Sequence, residues 1–262
     1  MTLTESAIAE TFGMYYWPFV RIAAVLMVAP VFSASMVAPR ARIMIAVALT
    51  IVVAPLLTPP QVAVNPLSLS GALMTIQQLL IGVAMGFALQ MVFDALIIAG
   101  QAMAMSMGLG FAVAIDPQRG VNVPVVSQYF VMMATLMFLT LNGHLMIIQM
   151  VVESFAVLPV GAGGLLRDGA WQIVAWGSDM FQGALRVALP AMVALLIVNL
   201  SFGVISRSAP ALNLFAIGFP LTLTLGFVIM MVALPGAMQT FTELLNDAFT
   251  NAGTILGAGR TP

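Results

Sequence analysis

Apolar residues follow one another along the whole chain in long blocks, and only short polar groups separate these blocks. An amphipathic segment at 237–256 comes last. Blocks of this length favour helices, because buried strands seldom exceed about eight residues. The pattern therefore predicts an all-α fold. The apolar blocks cover residues 15–35, 43–57, 72–93, 95–115, 125–157, 170–205 and 211–235.

These blocks fit a membrane poorly if each one is a single straight span. A helix needs about 20 residues to cross roughly 30 Å of hydrocarbon. The block at 43–57 is too short, and the stretch 72–115 has a double length with only Asp94 between its halves. Prolines remove backbone donors and favour kinks, so we expect bent helical hairpins. The prolines in or beside the blocks are Pro18, Pro30, Pro55, Pro190, Pro220 and Pro235.

The composition is typical of a membrane protein. Hydrophobic residues make up 62% of the 262 residues and charged residues 6%, whereas soluble domains carry about 25% charged residues. No polar block divides the chain, so we predict a single domain over residues 1–262. All eight basic residues are arginines and the net charge is −1, which does not favour nucleic acid as a partner.

Four charged residues lie inside the apolar blocks, and a fifth, Asp94, lies between two of them. Each would cost a few kcal/mol if it faced lipid, so these side chains must pair, reach the interface or face water. Ion pairing, within the chain or between subunits, is the favoured interpretation. A proton relay is the alternative, but the single histidine, His144, has no acidic residue within a helical turn. The five charged residues are Arg21, Asp94, Glu153, Asp179 and Arg186.

Two glycine motifs predict local backbone features. Gly82 and Gly86 have the spacing that lets two membrane helices approach each other closely. Asn142 and Gly143 are expected to interrupt the long helix of the block at 125–157.

Small and large residues alternate along 102–115. A period of two is typical of an extended segment, and Gly108 and Gly110 give this backbone extra freedom. A helix that packs one small-residue face on a neighbour explains the same alternation. From the residues alone both interpretations stand. Asp116 and Pro117 then predict a turn.

Polar residues, prolines and glycines also interrupt the apolar sequence between Asn199 and Gly226. Unpaired backbone groups cost several kcal/mol in hydrocarbon, so a broken helix is tolerated there only against protein or water. The segment predicts either a protein-lined passage or a tight subunit interface. The residues of this broken-helix signature are Asn199, Arg207, Pro210, Asn213, Gly218, Phe219 and Pro220.

This segment resembles, nearly residue for residue, the signature of the FliR family of type III export-gate proteins. The likeness extends over most of the chain, from about residue 17 to about residue 236. Three further elements that are similar to the family lie at 107–124, at 142–145 and at 158–161.

The resemblance implies an all-helical subunit of bent hairpins, with a P-like part followed by a Q-like part in one chain. One copy would join FliP and FliQ subunits in a helically staggered cone of the flagellar basal body. This cone belongs to the bacterial inner membrane and stands largely toward the periplasm. FlhB and FlhA are implied as further partners, and unfolded flagellar proteins as the exported substrates.

The resemblance also implies which residues form the functional site. In the family, the loop that matches 106–124 projects into the export channel as a plug. We hypothesise that Met103, Met105 and Met107 beside it form a deformable gasket, because methionine adapts to varied surfaces. The implied plug residues are Ser106, Met107, Gly108, Leu109, Gly110, Phe111, Asp116, Pro117, Asn122 and Pro124.

Sequence signatures of nucleotide-binding proteins, zinc proteases and serine hydrolases are missing from the chain. We therefore predict no enzymatic activity, no cofactor and no metal site. The favoured function is a structural subunit of the flagellar export gate. A stand-alone secondary transporter is the alternative, because its broken helices would give a similar composition.

Overall fold

The structure is a computed structural model that describes residues 5–57, 68–116, 122–161, 167–208 and 214–257. Most of these residues are helical, which confirms the all-α prediction. Within the described ranges the exception is one hairpin of two short strands, β1 (Val113–Ile115) and β2 (Asn122–Pro124). The helices are α1 (Glu5–Val28), α2 (Pro39–Val53), followed by a 3-10 helix (Ala54–Leu56), α3 (Leu69–Ser106), α4 (Val125–Thr140), α5 (Gly143–Val157), α6 (Arg167–Ser208) and α7 (Leu214–Gly257).

Four helices of the described part are long and apolar enough to cross a membrane. One of them contains the block at 43–57, and the expectation that this block is too short is wrong. The helix starts earlier, at Pro39, and the 3-10 helix extends it, which gives 18 residues. Proline suits the first helical position because its φ is already helical. The four candidate spans are Pro39–Leu56, Leu69–Ser106, Asp168–Ser208 and Gly218–Gly253.

The double-length block at 72–115 does not form a hairpin that turns at Asp94. Helix α3 continues through this residue over 38 residues, so the expectation of two separate helices is wrong here. An aspartate keeps its backbone N–H, unlike proline, and one such residue does not interrupt the helical hydrogen bonds. The block at 125–157, by contrast, breaks where the sequence predicts. Asn142 lies between α4 and α5 with a left-handed φ of 57°, a region that asparagine adopts more readily than most residues.

Helices continue through the prolines Pro18, Pro190, Pro220 and Pro235. Kinks at these positions stay a prediction. The amphipathic segment at 237–256 is not a separate helix but the second half of α7. It buries residues at helical spacing, namely Ala237, Phe241, Leu244, Ala248 and Ala252.

The chain divides into two compact units, each assembled from several segments. Unit 1 comprises Met1–Met91, Asn142–Gly177 and Asn246–Pro262, and unit 2 comprises Val92–Leu141 and Ser178–Leu245. The single domain over residues 1–262 stays a prediction.

Glycines bring α1 and α3 into close contact in unit 1, as their spacing predicts. A Cβ atom on Gly82 would lie 2.6 Å from both the Ala24 Cβ and the Arg21 backbone oxygen. A Cβ atom on Gly86 would lie 2.9 Å from the Val28 Cβ. The two helix backbones therefore touch at this crossing, and a larger residue does not fit without a shift of one helix.

Gly82→Ala is expected to lower the thermal stability of the chain, because neither a backbone oxygen nor a Cβ atom can rotate aside. Overpacking of this kind costs about 1–3 kcal/mol. The midpoint of heat-induced unfolding in mild detergent measures the effect. Gly203→Ala in α6 is the matched control, since an added Cβ there meets no atom within 4 Å. Equal midpoints for the two variants would contradict the prediction.

Two buried tryptophans complete the core of unit 1. Trp17 is 1% exposed and Trp176 is 4% exposed. The indole Nε1 of Trp176 donates a hydrogen bond to the Ala88 carbonyl oxygen at 3.0 Å, which gives a buried polar group the partner that it needs. This bond ties the start of α6 to α3.

An aromatic cluster forms the centre of unit 2. Phe93, Phe138 and Phe241 are fully buried. The ring centroid of Phe93 lies 5.7 Å from that of Phe138 and 5.4 Å from that of Phe241, and both pairs meet edge to face. Gly100 lets α3 approach the start of α4, because a Cβ there would lie 2.6 Å from the Ser127 Cα. Helices α4 and α7 therefore both pack on α3 in this unit.

Candidate functional site

Helix α3 ends just before a glycine, Gly108, and the candidate loop starts there. Gly108 has a φ of +78°. Its N–H donates to the Met105 carbonyl oxygen at 3.2 Å, and the Leu109 N–H donates to the Ala104 carbonyl oxygen at 2.8 Å. These two bonds form a Schellman motif, in which a left-handed residue reverses the chain and satisfies the last helix carbonyls. The helix thus ends at a fixed point and gives the loop a fixed starting direction.

Beyond this turn the chain forms a β-hairpin. Strands β1 and β2 pair in antiparallel register, with Val113 opposite Pro124 and Ile115 opposite Asn122. Helix α4 then begins directly after β2. The described parts of the loop therefore pair with each other between two helices of unit 2.

The sequence left either a helix or an extended segment open for residues 102–115, and the structure contains both. The segment is helical as far as Ser106 and extended from Val113 onward. Among the predicted plug residues that follow, Asp116 is buried. Pro117 lies outside the described residues.

The apolar side chains of the loop differ in their exposure. Phe111 is completely exposed and Val113 is 55% exposed. Of the three methionines of the predicted gasket, Met105 is 67% exposed, whereas Met103 and Met107 are both 1% exposed. The gasket of Met103, Met105 and Met107 stays a prediction, and Met105 is its exposed member.

Part of the broken-helix signature lies beside the root of this loop in unit 2. The Asn199 Nδ2 donates to the Ser106 carbonyl oxygen over 3.5 Å, and the Thr222 Oγ1 donates to the Asn199 Oδ1 over 3.5 Å. A Cβ atom on Gly226 would lie 2.7 Å from the Met107 Cγ. Helices α6 and α7 therefore both contact the end of α3.

The other residues of the signature lie near this contact or near the adjacent ends of α6 and α7. The Phe219 ring would lie 3.3 Å from a Cβ atom on Gly108. Helix α6 ends at Ser208 and α7 begins at Leu214, and residues 209–213 lie outside the described ranges. The helix break stays a prediction. Arg207 and Pro220 are exposed, Gly218 is buried, and Pro210 and Asn213 lie outside the described residues.

A second polar site lies in unit 1, where Arg21 is fully buried. Its Nε donates to the Gln78 Oε1 at 2.8 Å, and its terminal nitrogens donate to the backbone oxygens of Ser154 at 3.0 Å and Leu158 at 2.9 Å. Its guanidinium carbon also lies 4.1 Å from the centroid of the Phe155 ring, a cation–π arrangement. Ser154 and Leu158 end helix α5, so the positive charge sits at the negative end of the helix dipole.

The expectation of an ion pair is wrong for Arg21, whose acceptors in the described part of the chain are neutral oxygens. A guanidinium presents five N–H donors in one plane, and the open carbonyls of a helix end can accept several of them. Pairing of the other four charges stays a prediction. Asp179 and Arg186 are exposed, Asp94 is half-buried, and exposed Glu153 accepts a hydrogen bond from Gln149 at 2.8 Å.

Sequence reasoning missed Gln78, Ser154 and Phe155 around Arg21 and Thr222 beside Asn199. An amide within a long apolar helix was the available signal for Gln78. Nothing in the sequence distinguishes Thr222 from Thr224, because only the burial of Thr222 separates them. Within the described part of the chain, the buried His144 Nδ1 has no hydrogen-bond partner. Across the described ranges, no group of three or more acidic or histidine side chains is placed to hold a metal ion.

Known proteins are similar to the chain over nearly its whole length. The sequence pattern of the family described as "Bacterial export proteins, family 1" matches residues 12–248. The chain is also 37% identical over 244 residues to the flagellar biosynthetic protein FliR of Escherichia coli (strain K12), which covers 93% of each protein. The chain belongs to the FliR family of bacterial export proteins.

Other FliR proteins are similar to the chain over comparable lengths. The FliR protein of Pectobacterium carotovorum subsp. carotovorum is 37% identical over 244 residues, 93% of each protein. That of Aquifex aeolicus (strain VF5) is 30% identical over 231 residues, 88% of this chain and 89% of its own length. The family match includes the hairpin, the signature segment and the arginine site, and it confirms the resemblance to FliR.

Proposed function

We propose that the chain is a structural, non-enzymatic subunit of the flagellar type III export gate in the bacterial inner membrane. We further propose that residues 106–124 are the plug of its channel for unfolded flagellar proteins. Family membership supports the export role, and four candidate spans support the membrane location. The observation that carries the plug assignment is the completely exposed Phe111, which lies between a fixed helix end and the hairpin.

The construction of this loop suits a movable plug. A plug must block a passage at rest and leave it without unfolding the subunit. A hairpin of two three-residue strands is marginally stable by itself, so it can change conformation at low cost. Its root at Gly108 is held by helix-terminal hydrogen bonds, so the body of the subunit can stay intact during such a change.

The exposed surface of α6 supports assembly with other subunits. Only 17% of an apolar 18-residue window in its candidate span is buried within the chain. Asp179 and Arg186 are exposed on this span, and charges inside a membrane protein are stable against protein or water rather than lipid. Partner subunits that cover α6 would supply such surroundings.

We propose FliP and FliQ as these partners, with one copy of this chain in a helically staggered cone displaced toward the periplasm. In this arrangement a P-like part precedes a Q-like part, and residues 1–262 act as one domain. FlhB and FlhA are proposed as further partners, and flagellar proteins as substrates. No cofactor and no nucleic acid take part.

The test is the intact mass of the complex in mild detergent after co-expression of the chain with its candidate FliP and FliQ partners. We expect one copy of the chain inside a much larger complex that contains both partners. A stable monomer or homodimer that binds neither partner would refute the gate proposal. Transport by the chain alone in liposomes would then support the secondary-transporter alternative.

Met105→Gln is expected to raise the resting ion leak through the assembled gate, because a hydrated amide replaces an adaptable apolar side chain at the proposed seal. The leak is measured as dissipation of an ion gradient across liposomes that contain the co-expressed complex. Met132→Gln in α4 is the matched control, since Met132 is also an exposed methionine of unit 2, at 46% exposure. Equal leaks from the two variants would argue against a seal at Met105.

A further inference from the structure

We infer that the buried face of α7 around Gly226, together with Asn199 of α6, is a seat that fixes the root of the plug in its resting direction. We call this set of residues the plug seat: Asn199, Thr222 and Gly226. Its members are positioning residues that act on the hairpin through Ser106 and Met107. The inference rests on the proposed role of residues 106–124 as a plug.

The first step is the hydrogen bonding of the last carbonyls of α3. The Schellman bonds occupy the carbonyl oxygens of Ala104 and Met105. The next carbonyl oxygen, that of Ser106, is the one that Asn199 approaches, and Thr222 orients the Asn199 amide. Both distances are 3.5 Å, longer than the usual range for such bonds, so both contacts are weak. These contacts therefore contribute little binding energy, and their role in the inference is to set the direction of the helix end.

The second step is the packing of Met107 on α7. Met107 is 1% exposed. A Cβ atom on Gly226 would lie 2.7 Å from both its Cγ and its Cε and 3.1 Å from its sulfur. The whole side chain thus lies across the glycine, and the absence of a side chain at 226 is what admits it. Thr222 is buried one helical turn before Gly226, so the two small residues form one continuous floor.

The third step connects this floor to the hairpin. Met107 is followed at once by Gly108, where the chain turns, and the Leu109 N–H is bonded back to Ala104. The root can therefore not swivel freely about Gly108. A shift of Met107 from Gly226 must instead change the direction in which the loop leaves α3. Separation of α7 from the end of α3 would then release the plug.

The inference is tested with Gly226→Leu in the co-expressed complex, reconstituted in liposomes. We expect a several-fold rise in resting ion leak with the mass of the complex unchanged. The second replacement Met107→Ala makes room for the added leucine and is expected to reverse the rise. Gly236→Ala is the control in the same helix, because an added Cβ there meets no atom within 4 Å. A leak at the level of this control, in an assembled complex, would overturn the plug seat.

Gly226→Leu can also fail to assemble, so a second pair of variants keeps the test decisive. The chain contains no cysteine, and the closeness of residues 107 and 226 allows one disulfide between Met107→Cys and Gly226→Cys. We expect flagellar protein export to stop on oxidation of the double variant and to return on reduction. Either single-cysteine variant should export under both conditions. Unchanged export by the fully cross-linked gate would overturn the inference.

Removal of residues 109–115 separates this inference from the proposed function. If the deletion leaves the assembled gate as tight to ions as the unaltered one, the plug assignment fails. If the deletion leaks but neither Gly226→Leu nor the disulfide changes the gate, the plug stands and only its seat is refuted.

Discussion

Arg21→Met is expected to destabilise unit 1 by about 3 kcal/mol or more, because each buried acceptor left without a donor costs about 1–3 kcal/mol. The change would leave the Gln78 side-chain oxygen and the Leu158 backbone oxygen without their present donor, whereas the Ser154 backbone oxygen keeps the Leu158 N–H. Methionine fills a similar volume, so the loss reflects the missing hydrogen bonds and charge rather than a cavity. The unfolding midpoint by circular dichroism, in mild detergent, measures the effect.

Two further arginine variants make this prediction specific. Arg186→Met removes an exposed arginine of α6 and should change the midpoint little. Arg21→Lys keeps the charge but loses the planar group with five donors, so an intermediate midpoint is expected. If Arg21→Met and Arg186→Met unfolded at the same temperature, the buried arginine would not be the support that its contacts indicate.

Phe93→Ala is expected to destabilise unit 2 by about 3–5 kcal/mol, the usual cost of removing a buried aromatic ring. Phe93 is fully buried and makes edge-to-face contacts with both Phe138 and Phe241. The change therefore opens a cavity between α3, α4 and α7. Thermal unfolding followed by circular dichroism is again the measurement.

The control for this variant is Phe87→Ala on the same helix. Phe87 is 43% exposed, so part of its surface is already out of the core and its loss should cost clearly less. A midpoint shift for Phe93→Ala no larger than that for Phe87→Ala would contradict an aromatic centre in unit 2.

Local features of the fold could be predicted from the sequence. The lengths of the apolar blocks predicted that the chain is helical. Gly82 and Gly86 predicted the close contact of two helices, and Asn142 predicted a helix break. The hairpin expected at Asp94 failed because one charge in an apolar block does not break a helix. The block at 43–57 was misjudged because polar residues before it extend its helix toward Pro39.

Contacts between distant residues could not be predicted. Arg21 is 57 residues from Gln78 and 133 from Ser154, and a charge in an apolar block does not reveal whether an acid or a helix end will satisfy it. The same applies to the candidate loop. A glycine after an apolar helix predicts a turn at Gly108, but nothing local indicates that Gly226 will receive Met107.

The positions of the tryptophans distinguish the two units of the chain by their fluorescence. Trp17 and Trp176 are buried and Trp171 is 70% exposed, and all three belong to unit 1. Indole emission from the unaltered chain therefore reports on one unit and is silent about the other. A single Phe111→Trp replacement would add a tryptophan to unit 2, at a position that is completely exposed in this chain. A shift of its emission maximum on assembly of the gate would then report whether the segment before the hairpin stays in water or comes to lie against protein.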